Sequence, residues 1–279
     1  MLSHPILADA IENEFVAAAV HNSVREGEKS GDARALARFA EPAWNNPVVR
    51  YVDGDGHDLL PRRDGVYAAG AVAERMIAAL EAAGRSVPAY LRLAASELDP
   101  RPRSRATFEM HCFWEGEARL GALDGVLATR PGFLLGNEVV EVEFDPRTIP
   151  FPRLLAEARR LECARRAFAH DPKDAAAAGD GAALAPQRAG DAPESDRKRA
   201  LAASPLRLLP LTEAQAARVN AALARGGAAD EFLSPRQRRL AARLRAATPA
   251  ELARAAAPPG GTPPPSLEER LRHLESRLR

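Results

Sequence analysis

Apolar residues recur along the chain at two spacings, and the switches between them mark its elements. Residues 3–13 follow a helical spacing, and the continuous apolar run 15–20 predicts a buried strand. A polar helix is expected over 32–39. The run of β-branched and aromatic residues Val48, Val49, Tyr51, Val52 opens after Pro47 and closes at Gly54 and Gly56, which predicts a hairpin with a return strand over 57–60. Alanine-rich helical spacing over 69–83 stops at Gly84, where a helix end calls for a residue tolerant of positive φ. This first α/β unit is expected to span 1–98.

After a proline-bearing connector, a strand leads into Cys112, helical spacing follows over 113–123, and Glu138 to Phe144 alternates as a strand. A further helix over 151–161 precedes Cys163, so 104–170 reads as a second module. Residues 171–203 contain almost no large apolar side chain, and their burial cannot offset the entropy of ordering them; a disordered linker is expected. The remainder, 204–279, predicts four short helices, because Thr212 with Gln215, Ser234 with Gln237, Thr248 with Glu251 and Ser266 with Glu269 are capping-box pairs. Leu267, Leu271, Leu274 and Leu278 share one face of the last of them and call for a surface to cover them.

Charge adds little. The net charge is +1 with 28 % charged residues, which names no partner. From Ser204 onward there are 13 arginines, no lysine and seven acidic residues, yet only Phe232 supplies an aromatic ring among them; helices docking on the core are favoured over nucleic-acid binding. No apolar stretch approaches a membrane span, and the N terminus lacks a signal-peptide pattern, so a cytoplasmic location is expected. His21, His57, His111 and His170 lack metal-ligand spacing, and the acidic run 53–58 reads as a turn; no metal is assigned. Phosphate loops, nucleophile elbows and dinucleotide fingerprints are absent as spaced motifs.

The two cysteines, Cys112 and Cys163, are too few for a disulfide scaffold and lack zinc-knuckle spacing, which leaves catalytic or redox chemistry. Cys112 stands where a strand turns into a helix, a position whose unpaired N–H groups and dipole favour a thiolate over a thiol. Phe113 and Trp114 follow directly, and adjacent rings at a helix start suit the walls of a pocket for a small apolar group.

Cys112-Phe113-Trp114 with Glu117 resembles the signature of the peptide methionine-(S)-sulfoxide reductases. The resemblance continues through Gly121 to Gly132 and through the glutamate-led strand Glu138 to Pro146. It implies that the Cys112 thiolate attacks the sulfoxide sulfur, that Glu138 gives the sulfoxide oxygen its proton, and that Phe113 and Trp114 hold the substrate methyl. The sulfenic acid left on Cys112 needs a second thiol, and Cys163 is the internal candidate. His111 and Glu115 replace residues usual in that signature, and the stretch between Cys112 and Glu138 is short, so the module resembles a shortened relative. The implied substrate is methionine sulfoxide in a peptide or protein; no cofactor is implied beyond an external thiol reductant such as thioredoxin.

The first unit resembles a thioredoxin-like domain lacking its first strand and Cys-x-x-Cys segment, with Pro47 in the place of the cis-proline. The domain is then expected to be either a redox-silent scaffold or, as resemblance to a bacterial group that sometimes carries selenocysteine in this domain favours, one whose active-site segment precedes Met1. The expected fold is thus an α/β thioredoxin-like domain, an α+β ferredoxin-like sandwich, a disordered linker and a helical basic tail. A non-catalytic binding or scaffold protein and a general thiol-disulfide exchanger are the alternatives to a sulfoxide reductase.

Overall fold

In the computed structural model, which describes residues 3–45, 48–256 and 266–278, every strand of the described residues falls in one of two units. The units are Met1–Val87 and Pro88–Arg279. Among the described residues no helix is long and apolar enough to cross a membrane.

The first unit is helical. α1 (Pro5–Glu14) begins with a proline, tolerated where no N–H is needed, and buries Ile6, Leu7 and Ala10. α2 (Gly31–Arg38) is capped by the Ser30 hydroxyl, which accepts from the Ala33 N–H. α3 (Ala69–Ala82) buries Val72, Ala73, Met76, Ala79 and Leu80, and Gly84 follows it at φ 67°. The strand expected over 15–20 does not form. A strand needs a ladder partner for its backbone groups, none stands beside this run among the described residues, and Val16 is 99 % exposed. The expected hairpin shrinks to one bridge, Val52 with Asp58. Its acidic tip is a turn in which the Asp53 carboxylate accepts from the N–H groups of Asp55 and His57 at 2.9 and 2.8 Å. Pro47 lies outside the described residues.

The second unit begins at α4 (Ala89–Leu98), which the sequence reading had assigned to the first. Its Tyr90 and Leu91 are fully buried, and Glu97 at its end accepts from the Ala214 N–H at 3.3 Å, so α4 belongs with the C-terminal helices. The chain then runs through β1 (Ser104–Glu109), α5 (Phe113–Leu120), β2 (Val126–Leu134), β3 (Asn137–Phe144), α6 (Phe151–Arg160) and β4 (Arg166–Ala169). β1 lies antiparallel to both β3 and β4, and β2 antiparallel to β3. Alternation along the strands turns Ala106, Phe108, Val140, Val142 and Phe144 into one core with α5 and α6. The Phe151 ring stacks on both Phe108 and Phe144, with centroids 6.4 and 6.3 Å away. β2 and β3 join through Leu135 and Gly136 at φ 52° and 80°, a two-residue loop with both residues left-handed, which sets Phe133 directly opposite Glu138.

Residues 171–203 carry structure where composition alone predicts a disordered linker. They form α7 (Pro172–Ala178), then β5 (Ala183–Leu184) and β6 (Gly190–Asp191), then α8 (Arg199–Ala202). β5 adds beside β4 and β6 beside β2, giving one sheet in the order β5-β4-β1-β3-β2-β6. Pairing along a sheet edge uses backbone groups, and alanine and glycine surrender little or no side-chain entropy in making it.

In the tail, α9 (Glu213–Ala224), α10 (Pro235–Ala246), α11 (Pro249–Ala255) and α12 (Leu267–Arg277) each start with a complete capping box. Two of the box residues do more than cap. Gln215 and Gln237 are buried and exchange amide hydrogen bonds at 2.7 and 2.8 Å, which fixes α9 against α10. The apolar stripe of α12 is covered within the unit, with Leu271 and Leu274 in the core formed by Val219, Leu233, Leu240 and Leu244. α9 also packs on α5 and β2. Its Arg218 donates to the Ala122 carbonyl and pairs with Asp124 at 2.9 Å, so the tail buttresses the helix that begins at Cys112.

Candidate active site

β1 ends at Glu109, and the chain leaves the sheet through Met110, whose N–H donates to the Glu138 carbonyl at 3.1 Å. Cys112 follows as the N-cap of α5, extended at φ −138° and ψ 109°, half-buried and making no side-chain cap bond. The first turn of the helix that follows it begins with N–H groups that have no intrahelical partner. One of these is satisfied from across the sheet: the Phe113 N–H donates to Oε2 of Glu138 at 2.8 Å. The bond draws the carboxyl group on β3 to the residue that follows the cysteine. The other oxygen, Oε1, has no protein partner among the described residues.

The aromatic surround has three rings. Phe113 is buried and meets Trp114 at 5.9 Å and Phe133 at 5.6 Å between centroids. Trp114 and Phe133 are 38 % and 44 % exposed, so they form an open platform beside the thiol. Phe133 escaped the sequence reading; recognising Leu135-Gly136 as a two-residue loop would have placed it opposite Glu138.

One turn further along α5, Glu117 is fully buried. It accepts from the N–H and the ammonium group of Lys198, both at 2.6 Å, and from the Thr129 hydroxyl at 3.3 Å. The ammonium also donates to the Thr129 carbonyl at 2.6 Å. Lys198 adopts φ 48° and ψ 50°, a left-handed conformation that this set of bonds holds in place. Removing the charge from one partner of a buried pair leaves the other uncompensated, so Glu117→Gln is expected to cost about 3 kcal/mol in urea denaturation. Combining it with Lys198→Met should recover most of that loss.

Cys112, Phe113, Trp114 and Glu138 gather at the start of α5, while Cys163 is buried in the core to which Phe113 also contributes. Both cysteines are free thiols. Cys163, expected as the resolving thiol, lies in the apolar core at 2 % exposure, and its Sγ donates to the Leu161 carbonyl at 3.3 Å. Burial pushes its pKa up, against the opposing charge of Arg119. A raised thiol pKa leaves the fold's stability intact below the ordinary thiol value, and stability is lost as the pH rises from that value through the raised one of the folded state. Urea midpoints should therefore fall above about pH 8.5 more steeply in the parent than in Cys163→Ala. In the same solutions iodoacetamide should modify Cys112 quickly and Cys163 only on unfolding.

No known protein-family profile matches the chain. Part of it is similar to three curated proteins. One is a peptide methionine sulfoxide reductase of Drosophila melanogaster, 38 % identical over 66 residues, covering 19 % of this chain and 27 % of the fly protein. The second is peptide methionine sulfoxide reductase A5 of Arabidopsis thaliana, 32 % identical over 85 residues, covering 26 % of this chain and 34 % of the plant protein. The third is peptide methionine sulfoxide reductase MsrA 1 of Nostoc, 32 % identical over 72 residues, with 20 % and 44 % covered. The chain thus spans between about a quarter and under half the length of these relatives.

Proposed function

We propose that the chain reduces methionine sulfoxide in peptides or proteins, with Cys112 as nucleophile and Glu138 as proton donor. The observation that carries this reading is the 2.8 Å bond from the Phe113 N–H to Glu138 Oε2, which sets a carboxyl group beside the cysteine at a helix start. The partial similarity to curated sulfoxide reductases supports the same chemistry. So does the order of β1, α5, β2, β3, α6 and β4, which we read as a ferredoxin-like plan.

In the reaction, a lone pair of the Cys112 thiolate forms a bond to the sulfoxide sulfur. The sulfoxide oxygen takes a proton from Glu138 and a second from solvent and leaves as water. Water then attacks the Cys112 sulfur, and the electron pair of the broken sulfur–sulfur bond returns to the thioether. Methionine departs reduced by two electrons, and Cys112 remains as a sulfenic acid. The rings of Phe113, Trp114 and Phe133 supply an apolar surface for the sulfur-bound methyl.

We assign the return step to an external dithiol of the thioredoxin type. One of its thiols condenses with the sulfenic acid, releasing water, and its second thiol frees Cys112. Cys163 would take part only after local opening uncovers it. The test is a single turnover without reductant: prereduced protein mixed with a methionine sulfoxide peptide should yield one methionine per chain. A yield of zero would contradict the reading and favour a binding role.

A further inference from the structure

The platform beside Cys112 is not finished by the module that carries the thiol. Arg199, from the segment following β6, lays its guanidinium over the Trp114 ring at 4.3 Å from the centroid. Neighbouring arginines have carboxylate partners: Arg197 pairs with Asp191 and Glu194, and Arg218 with Asp124. Arg199 is exposed and makes no ion pair among the described residues.

Its backbone is fixed from both sides. Lys198 is locked by its bonds to Glu117 and Thr129, and the buried Asn220 side-chain carbonyl accepts from the N–H groups of Ala200 and Leu201 at 3.0 and 3.1 Å. A cation held at a fixed place on an aromatic face, with its charge uncommitted, has the features of a recognition group. Trp114 remains 38 % exposed beneath it, so a ligand can reach ring and guanidinium together.

We propose that Arg199 is a substrate-binding residue that selects methionine sulfoxide lying next to a carboxylate, whether an acidic side chain or the carboxyl terminus of the peptide. This rests on the reading of Cys112 as the thiol that attacks sulfoxide. The carboxylate pairs with the guanidinium at the rim while the methyl sulfoxide lies on the rings. The site is open, so the pairing is worth a modest factor that weakens with salt.

The experiment uses the full chain and four peptides that share one methionine sulfoxide: flanked by Asp, by Ala, by Lys, or ending in the sulfoxide residue with a free carboxylate. At low ionic strength the parent should favour both carboxylate peptides over the Lys peptide by about fivefold in kcat/KM, carried by KM. Arg199→Ala should erase that ratio, Arg199→Lys should retain part of it, and Arg199→Glu should reverse it. Equal ratios in the parent and Arg199→Ala, or an equal loss on all four peptides, would overturn the proposal. Binding to Cys112→Ser/Trp44→Phe, followed by Trp114 fluorescence, separates the two claims. Carboxylate-selective binding lost in Arg199→Ala supports the role of Arg199 even where no methionine forms, whereas turnover without selectivity leaves the reductase reading intact and removes this one.

Discussion

Serine at position 112 is expected to abolish single-turnover reduction of methionine sulfoxide while leaving the fold unchanged. The proposed step oxidises the attacking atom by two electrons, which sulfur can undergo and a serine oxygen cannot. The Cys112 side chain makes no cap bond at the start of α5, and serine is among the preferred N-cap residues, so Cys112→Ser should melt at or above the parent temperature. Rapid-quench analysis of methionine, beside a thermal melt, measures both. Methionine formed by Cys112→Ser would place the nucleophile elsewhere.

Glu138→Gln should slow the same turnover by about a thousandfold, or about 4 kcal/mol of barrier. The amide oxygen of glutamine can still accept the Phe113 N–H, so the start of α5 and the ring platform stay in place. What the variant lacks is an ionisable proton to give to the departing oxygen. A loss of tenfold or less would mean that solvent supplies the proton and that Glu138 serves to anchor the helix.

The parts of this arrangement differ in how far they can be read from sequence, and the difference has a physical basis. Caps and turns are local, so the four capping boxes and Gly84 are visible in the residues themselves. Cys112 at the strand-to-helix junction is local too, and the neighbouring rings on α5 come with it. Pairing is not local. The apolar run 15–20 has strand composition, yet composition cannot supply a neighbouring strand. Conversely, the alanine and glycine of 171–203 conceal two short strands, because sheet-edge pairing is carried by backbone that every residue shares.

Long-range partners of charged groups are the least legible. Glu117 could be read as part of a motif, but Lys198, far along the chain and inside a segment expected to be disordered, gave no local sign that it pairs with it. Arg199 is equally silent in sequence and meets Trp114 from a segment that Lys198 and Asn220 anchor on either side of it. Cys163 shows the converse: its residue type suggested chemistry, while its place at the end of α6 put it in the core.

The most direct measurement is the fate of the Cys112 sulfur itself. Prereduced protein is mixed with a methionine sulfoxide peptide in the presence of a sulfenic-acid trap, digested, and read by mass spectrometry against the methionine released. The account predicts trapped Cys112 in equal amount to methionine, with Cys163 recovered as thiol. Methionine released without an adduct on Cys112, or an adduct on Cys163 alone, would contradict it.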